Sequence, residues 1–294
     1  MKSILLIGGA GQLGQELQKT LAPLAQLRVC DRNSLDLTAT DAIRELVADV
    51  KPDLIVNAAA YTAVDKAEAE PELAYRINAT APGVLAESAQ QLGASLIHIS
   101  TDYVFDGKQN TPYLESAQTN PLSVYGQSKL AGEQAVQKGC DRYLILRTAW
   151  VYGVQGKGNF VKTMLRLGAE REEIRVVSDQ VGSPTWTNDI AQAIADLITG
   201  FNWDLNGIYN YTSSGIASWY DFAVAIFEEA QQLGFPLKVK RVVPITTAEY
   251  PTPAHRPAYS VLSSTKTSEV LGTYPPHWRQ RLRLMLKELY SLYT

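Results

Sequence analysis

Short continuous apolar runs alternate with stretches of helical period through the first 150 residues. The apolar runs occupy residues 3–7, 27–30, 54–57, 95–100 and 143–148, and helical spacing fills 12–22, 40–50, 71–92 and 123–137. Strands that are apolar throughout, rather than at alternate positions, are typical of a parallel sheet covered on both faces. The pattern therefore predicts an α/β fold with a doubly wound parallel sheet of the Rossmann type.

After residue 150 the pattern is less regular. It favours helices at 160–168, 188–198, 219–233 and 279–290, and strands at 174–177, 207–211 and 236–243. Residues 179–187 and 251–257 are predicted to be loops, the second because it holds three prolines.

Composition and charge exclude several classes of protein. The 294 residues carry a formal net charge of −3 with no long basic stripe, so a nucleic-acid partner is not expected. No apolar run approaches the roughly 18–20 residues that a membrane span requires. Cys30 and Cys140 lie far apart, which predicts neither a disulfide framework nor a zinc site, and favours a reducing, cytoplasmic location.

A glycine-rich turn follows the first predicted strand and opens the first helix. Gly8, Gly11 and Gly14 recur at every third position. Gly8 permits the tight turn, Gly11 lets backbone amides approach a pyrophosphate, and Gly14 lets helix and strand pack closely. The turn therefore predicts a dinucleotide site. We expect residues 1–150 to form an NAD(P)-binding domain and residues 151–294 mainly a smaller substrate-binding lobe, with some later strands and helices returning to the first.

The end of the second strand leaves the choice of nicotinamide cofactor open. Asp31 can bind the ribose hydroxyls of NAD, or it can simply form a turn. Arg32 beside it can pair with the 2′-phosphate of NADP. The pair Asp36 and Leu37 either lines the adenine pocket or caps the helix at Thr40. We expect NADPH to be used, and NADH as well.

Tyr125 and Lys129 stand four residues apart at the start of a predicted helix and so share one face. A lysine ammonium beside a phenol lowers its pKa and so fits it for proton exchange with a carbonyl oxygen. The fourth strand ends in Ser100 and Thr101, either of which can hold that oxygen. His98 is interpreted as a strand residue. Asn78 is either a solvated helix position or, as the resemblance of these motifs to the short-chain dehydrogenase/reductase superfamily implies, the helix asparagine that relays protons to Lys129.

Longer strings extend the pattern beyond the turn and the pair. They read VNAAAYTAVDKAE (56–68), STDYVFDG (100–107), PLSVYG (121–126), RTAWVYG (147–153), DQVGSPT (179–185) and YPTPAHRP (250–257). With the G-x-x-G-x-x-G spacing, the chain resembles the dTDP-4-dehydrorhamnose reductase family, in the extended branch of the short-chain dehydrogenase/reductase superfamily. The resemblance runs from about residue 1 to about residue 290, through both predicted regions.

This resemblance implies NAD(P)H-dependent reduction of the 4-keto group of dTDP-4-dehydro-β-L-rhamnose, the last step of dTDP-L-rhamnose synthesis. It implies catalysis by Thr101, Tyr125 and Lys129, and substrate contacts at Thr101, Asp102, Tyr103 and Trp150. Arg256, fixed by Pro257, is a candidate ligand for the diphosphate. Cofactor contacts are implied at Gly11, Gln12, Leu13, Asp31, Asp36, Leu37, Ala60, Tyr61, Thr62, Ile99, Tyr125 and Lys129.

Assembly and two rival functions also follow from the resemblance. Some family members dimerise around Mg²⁺ held by acids; Glu16 matches one of these, but Asn188, with Asp189 beside it, stands where another falls. A neutral amide is a weak ligand for Mg²⁺, so we expect no structural metal, and a monomer or a weak dimer. The rival functions are another nucleotide-sugar 4-ketoreductase or epimerase, and a non-catalytic NADP-binding regulatory subunit.

Overall fold

A computed structural model describes residues 2–200 and 206–292 of the chain. The strands are β1 (Ser3–Ile7), β2 (Gln26–Cys30), β3 (Leu54–Asn57), β4 (Ser95–Thr101), β5 (Tyr143–Thr148), β6 (Val151–Tyr152), β7 (Glu173–Val177), β8 (Val181–Gly182), β9 (Thr185–Trp186), β10 (Gly207–Asn210), β11 (Ala217–Ser218) and β12 (Arg241–Ile245). The helices are α1 (Gln12–Leu21), α2 (Thr40–Val50), α3 (Val64–Ala67), α4 (Pro71–Tyr75), α5 (Ala81–Leu92), α6 (Val124–Gly139), α7 (Phe160–Glu170), α8 (Thr187–Gly200), α9 (Trp219–Gln232), α10 (Thr265–Leu271) and α11 (Trp278–Tyr290).

Six parallel strands form the central sheet, in the order β10-β5-β4-β3-β1-β2. The chain first builds outward from β1 to β2 and then crosses back to place β3 on the other side of β1. This reversal makes the carboxyl ends of β1 and β3 the switch point where doubly wound sheets bind ligands. The predicted Rossmann-type fold is confirmed.

Apolar side chains cover both faces of this sheet, as its continuous apolar strands require. Alternate residues of β1 illustrate the division. Ile4 and Leu6 join one core with α1 and α8, whereas Leu5 and Ile7 join another with α2, α5 and α6. Strand β10 therefore completes the sheet and helix α8 covers one of its faces, although both come from residues well beyond 150.

A second lobe forms around a separate apolar cluster. Helices α7, α9 and α11 supply most of it, and the aromatic rings of Phe222 and Trp278 meet at its centre with centroids 5.8 Å apart. Three two-stranded pairs lie around this cluster: β7 with β12, β8 with β11, and β6 with β9.

Four local features differ from the sequence predictions. The predicted helix over 71–92 is interrupted by a π-helical segment, Arg76–Thr80, between α4 and α5. The predicted loop over 179–187 contains β8 and β9, and the predicted strand over 236–243 begins only at Arg241. Helices α3 and α10 were not predicted, because each is too short to show a periodic pattern.

Within the described parts of the chain, no helix combines the length and the apolar character needed to cross a bilayer. Both cysteines are free and buried.

Candidate active site

The candidate site lies where β1, β3 and β4 end. Strand β1 leads into the glycine-rich turn, β3 leads into residues 58–62, and β4 ends at Thr101 and leads into Asp102. Because the strands are parallel, these three ends lie along one edge of the sheet. Helix α6 brings Tyr125 and Lys129 to the same edge.

The glycine-rich turn is shaped as a cradle. Gly8 has a positive φ of 88°, and a Cβ on it would lie 2.7 Å from the amide nitrogen of Ala59. A Cβ on Gly14 would overlap the carbonyl of Gly8. Gly11 is the N-cap of α1, and no side chain caps the helix there. The first amides of α1 are therefore left to an external acceptor, which fits a pyrophosphate.

Gln12 connects this turn to the second lobe. Its side-chain amide donates to the carbonyl of Val151 at 3.3 Å and accepts from the Asn159 side chain at 3.3 Å. Leu13, next along α1, is buried in the core. The two neighbouring predicted cofactor residues thus differ: Gln12 joins the lobes, and Leu13 anchors the helix.

Local turns engage the acids that follow β2. The carboxylate of Asp31 accepts from the backbone amides of Asn33 and Ser34, at 2.9 and 3.2 Å, while Arg32 is exposed. Asp36 accepts from the amide and hydroxyl of Thr38 rather than capping α2 at Thr40. These hydrogen bonds lower the pKa of Asp36. Half-buried Leu37 packs against the core on the α2 side.

Asn78 organises the segment after β3. Its side-chain oxygen accepts from the amide of Tyr61 at 2.8 Å, and its nitrogen donates to the carbonyl of Tyr61 and the hydroxyl of Ser128. Asn78 is 1% exposed, so it is not a solvated helix position. It holds the segment bearing Ala60, Tyr61 and Thr62 against α6.

Tyr125 and Lys129 lie buried on one face of α6, whose first turn is capped by Ser123. The Tyr125 hydroxyl lies beside the Thr101 hydroxyl, and Lys129 Nζ donates to the carbonyl of Ile99 at 2.7 Å. The structure thus brings the three predicted catalytic residues together. Of the two candidate hydroxyls on β4, Thr101 faces Tyr125; the Ser100 hydroxyl donates to Glu133 instead.

The expected effect of Lys129 on Tyr125 is not seen in this state. Burial raises the pKa of Tyr125 to about 12, with the charge of Asp102 adding to the rise and Thr101 opposing it. Lys129 is itself removed from water, and burial lowers its pKa to about 8. At neutral pH the Tyr125 hydroxyl is therefore protonated, as a proton donor must be.

His98, two residues before Ser100, lies on the inner side of the site. Its Nδ1 pairs with the Asn57 amide at 3.1 Å, and Nε2 has no partner in the described chain. Burial, with the charge of Lys129, lowers the pKa of His98 well below its usual value. A neutral, enclosed imidazole fits the interpretation of His98 as a strand residue.

Asp102 and Tyr103 follow Thr101 at the mouth of the site. Asp102 is 2% exposed; one carboxylate oxygen accepts from the Thr101 hydroxyl at 3.0 Å, and the other accepts no hydrogen bond among the described residues, although the Ser260 hydroxyl lies near the carboxylate. Burial raises the pKa of Asp102 to about 6. The Tyr103 ring meets that of Tyr125 edge-on, with centroids 5.3 Å apart. An unpartnered buried oxygen is free to accept from a ligand hydroxyl.

Trp150 is held in an unusual conformation at the junction of the lobes. Its φ is 50°, in the left-handed region that side chains rarely adopt. Its indole stacks on that of Trp219, with centroids 3.5 Å apart, and passes close over Gly182. Strain of this kind persists only where the surroundings enforce it.

Arg256 is tied down by an acid. It forms two bonds to the carboxylate of Asp65, at 3.0 and 2.8 Å, and one to the hydroxyl of Thr252. The guanidinium also lies near the hydroxyl of Tyr103, at the mouth of the site. Arg256 is therefore a half-buried, paired cation in this state.

Sequence reasoning missed several residues around the site. Asp65, Trp219, Glu133 and Arg147 were not singled out, and Ser100 was considered only for the ketone oxygen. Glu133 had a readable signal, because it follows Lys129 by four residues on the same helix face. Asp65 had one too, because it lies within the quoted string 56–68, whereas Trp219 is brought in by a distant segment and had none.

The acids considered for a metal have other partners. Asp189 forms a bidentate ion pair with Arg281, and Glu16 is bonded to Lys19 at 3.0 Å. No group of three His, Cys, Asp or Glu suited to a metal occurs among the residues described.

The fold and the site define an oxidoreductase of the Rossmann type. The family model described as the RmlD substrate binding domain matches residues 1–291. The chain is 47% identical to the dTDP-4-dehydrorhamnose reductase of Escherichia coli K12 over 296 aligned positions, covering 98% of each.

Solved structures agree with that match. The reductase of Clostridium acetobutylicum is 42% identical, with a TM-score of 0.91 over 98% of this chain and 99% of that one. The reductase of Bacillus anthracis, solved in complex with NADP, is 40% identical, with a TM-score of 0.90 over 98% of this chain and all of that one. The chain belongs to the dTDP-4-dehydrorhamnose reductase family.

Proposed function

We propose that this chain reduces the 4-keto group of dTDP-4-dehydro-β-L-rhamnose to give dTDP-L-rhamnose, the last step of dTDP-rhamnose biosynthesis. One observation carries the proposal: Thr101, Tyr125 and Lys129 converge beside an open glycine cradle in a chain of this family. NADPH is the proposed reductant, and NADH a second one.

The proposed cofactor site lies along the carboxyl ends of the sheet strands. The pyrophosphate lies over Gly8, Gly11 and Gly14, where side chains would fill the space and where the amides of α1 are uncapped. The remaining proposed contacts are Gln12, Leu13, Asp31, Arg32, Asp36, Leu37, Ala60, Tyr61, Thr62, Ile99, Tyr125 and Lys129.

When bound, the reduced nicotinamide supplies a hydride to the substrate. The chain's own residues handle the proton. The Tyr125 hydroxyl donates it to the ketone oxygen as negative charge develops there, and Thr101 holds the same oxygen by a hydrogen bond. The ammonium of Lys129 stabilises the phenolate left behind and holds the cofactor ribose.

The proposed substrate side lies across from the cofactor. Asp102, with one unpartnered oxygen, accepts from a sugar hydroxyl, and the Tyr103 ring borders the pocket. The sugar lies against Trp150. Arg256 binds the diphosphate, exchanging part of its bond to Asp65 for phosphate oxygens.

The proposed organisation keeps residues 1–150 as the cofactor domain, completed by β10 and α8, and most of 151–294 as the substrate lobe. We propose a cytoplasmic enzyme, which two free buried cysteines suit. It works without metal, as a monomer or as a dimer held by packing. Sedimentation in EDTA and in excess Mg²⁺ tests the assembly; a Mg²⁺-dependent dimer would assign metal binding to Glu16 and Asp189.

The direct test mixes purified protein with dTDP-4-dehydro-β-L-rhamnose and NADPH, or NADH, and follows absorbance of the reduced nicotinamide. We expect oxidation with both cofactors and formation of dTDP-L-rhamnose. No oxidation with either would refute the proposal. Tightly retained NAD with no net oxidation would instead indicate an epimerase.

A further inference from the structure

A buried polar network lies directly behind the candidate site. Glu133 of α6 accepts from Nε and Nη2 of Arg147, at 2.8 and 2.6 Å, and from the hydroxyl of Ser100 at 2.5 Å. All three side chains are 3% exposed or less. The third guanidinium nitrogen of Arg147 donates to the carbonyl of Glu115 at 3.2 Å. The network joins α6, β4 and β5, and its hydrogen bonds occupy both carboxylate oxygens of Glu133.

Such a pair needs a reason beyond stability. Removing two charges from water costs several kcal/mol for each ion, and well-packed apolar residues often serve as well or better. The position of the Glu133–Arg147 pair supplies such a reason. Glu133 stands one helical turn after Lys129 on the same face of α6, and Ser100 directly precedes Thr101 on β4. The network therefore links α6, which bears the proton donor Tyr125, to β4, which bears Thr101.

The charged and polar groups around Lys129 come from β4, β5, α6 and the π-helical segment. Strand β4 presents His98, which is neutral, and the carbonyl of Ile99; Asp102 lies beyond, beside Tyr125. The π-helical segment presents the neutral Asn78. Helix α6 presents Tyr125 and Glu133, and Arg147 of β5 lies across Glu133. Burial lowers the pKa of Lys129, and the carboxylate of Glu133 is the charge that opposes this.

We propose that Glu133, fixed by Arg147 and Ser100, is a positioning residue for the reduction: its buried carboxylate keeps Lys129 charged and holds α6 in register with β4. The inference rests on the proposed function, because it assigns a task within that site. Glu133 acts through Lys129 and does not touch substrate or cofactor.

The direction in which the pH profile shifts distinguishes this role from a merely structural one. Activity that needs charged Lys129 is lost as the pH rises through the pKa of Lys129. Replacing Glu133 by an uncharged residue removes a favourable charge, so this pKa falls and the alkaline limb moves to lower pH. A purely structural loss would lower activity by the same factor at every pH.

The experiment compares pH profiles of kcat/KM for NADPH, which report ionisations of the free enzyme. We expect Glu133→Gln to move the alkaline limb down by about one pH unit. Ser100→Ala removes one hydrogen bond from Glu133 but keeps its charge, so the limb should stay in place. Glu133→Asp restores a carboxylate and should bring the limb back towards that of the wild type. An unmoved limb in Glu133→Gln would overturn the inference.

A double variant keeps the test decisive if Glu133→Gln does not fold. Glu133→Gln leaves the cation of Arg147 buried without its partner, and the variant could fail to fold. The double variant Glu133→Gln/Arg147→Met removes both charges; we expect it to regain thermal stability and to keep an acid-shifted limb. A limb at the wild-type position would contradict the inference.

The pH dependence of NADPH binding, followed by nicotinamide fluorescence, gives the same comparison without turnover. Wild-type protein that binds NADPH but reduces no sugar would refute the proposed function alone. A binding limb unmoved by Glu133→Gln would refute the role of Glu133 alone.

Discussion

Ser100 and Thr101, the last two residues of β4, project to opposite sides of the strand and enter two very different polar regions. Ser100 joins Glu133 and Arg147, where both oxygens of the carboxylate are engaged. Thr101 joins Tyr125 and Asp102, where one carboxylate oxygen is buried with no partner among the described residues. One strand end thus supports a closed network on one side and an open one on the other.

The difference shows how a rigid site can retain capacity for a ligand. A completed network fixes its members, because moving any of them breaks several hydrogen bonds in a medium of low dielectric constant. The incomplete cluster carries the cost of desolvated, unpartnered oxygen in the free protein. We expect substitutions on the open side to cost activity without costing stability, and the loss of a hydrogen bond on the closed side to cost stability with little loss of activity.

The largest effect is expected from Tyr125→Phe, on the open side. The ring remains, so its packing against Tyr103 and the fold should survive. The proton donor is lost, which should lower kcat by roughly 10²–10⁴-fold. Steady-state kinetics and thermal unfolding of the same preparation measure both effects. A variant that keeps most of its activity would remove Tyr125 from the mechanism.

Asp102→Asn should have the next largest effect. It measures the free-energy cost of the buried carboxylate on the open side through the pH dependence of stability. Burial raises the pKa of folded Asp102 from 3.8 to about 6, so the folded protein binds this proton more tightly than the unfolded chain. The stability that Asp102 contributes is present below pH 3.8 and is lost as the pH rises to about 6.

The amide introduced by this substitution does not titrate. The free energy of unfolding of the variant should therefore gain about 2 kcal/mol relative to the wild type between pH 4 and pH 7. Urea unfolding at the two pH values measures this gain. A difference that does not change with pH would show that Asp102 is solvated.

The sheet was predictable from sequence because a strand buried on both faces carries a clear signal. Leu54–Asn57 matches its apolar run residue for residue. Strands β8 and β9 have two residues each and pair with distant partners, so no local period marks them. The π-helical segment depends on Gly132, where a Cβ would collide with the Asn78 carbonyl, and local spacing does not reveal such a contact.

In the site, motif spacing predicted the meeting of Tyr125, Lys129 and Thr101. It could not predict the pKa of Tyr125, because spacing carries no information on burial, and burial dominates. Nor could it choose between Ser100 and Thr101, since that choice depends on which side of β4 faces α6 and Glu133. The roles assigned to these residues remain predictions for the experiments above.

A smaller effect is expected from Ser100→Ala, on the closed side. One charge-assisted hydrogen bond to Glu133 is lost, while both bonds from Arg147 remain. The free energy of unfolding should fall by about 1–2 kcal/mol, with kcat nearly unchanged. Chemical denaturation and kinetics on one sample test this. A large loss of kcat with unchanged stability would reverse the contrast between the two sides.

The smallest effect is expected from Arg32→Ala, which lies outside both regions and serves as their reference. Arg32 is exposed at the end of β2, where it can attract a 2′-phosphate. We expect kcat/KM to fall up to about tenfold with NADPH, about 1.4 kcal/mol, and to change little with NADH. Equal losses with both cofactors would show that Arg32 does not read the phosphate.

The position of β10 at the sheet edge has a consequence for biosynthesis. On the ribosome, β5 emerges with its outer edge unpaired, and its partner Gly207–Asn210 follows only after α7, β7 and α8. Until then a row of backbone donors and acceptors is open to other chains, and one face of the sheet lacks the side chains of α8. The nascent chain therefore cannot finish its first layer before most of the polypeptide has been translated. A fragment ending at residue 150 should aggregate, whereas one reaching beyond α8 and β10 should bury that edge.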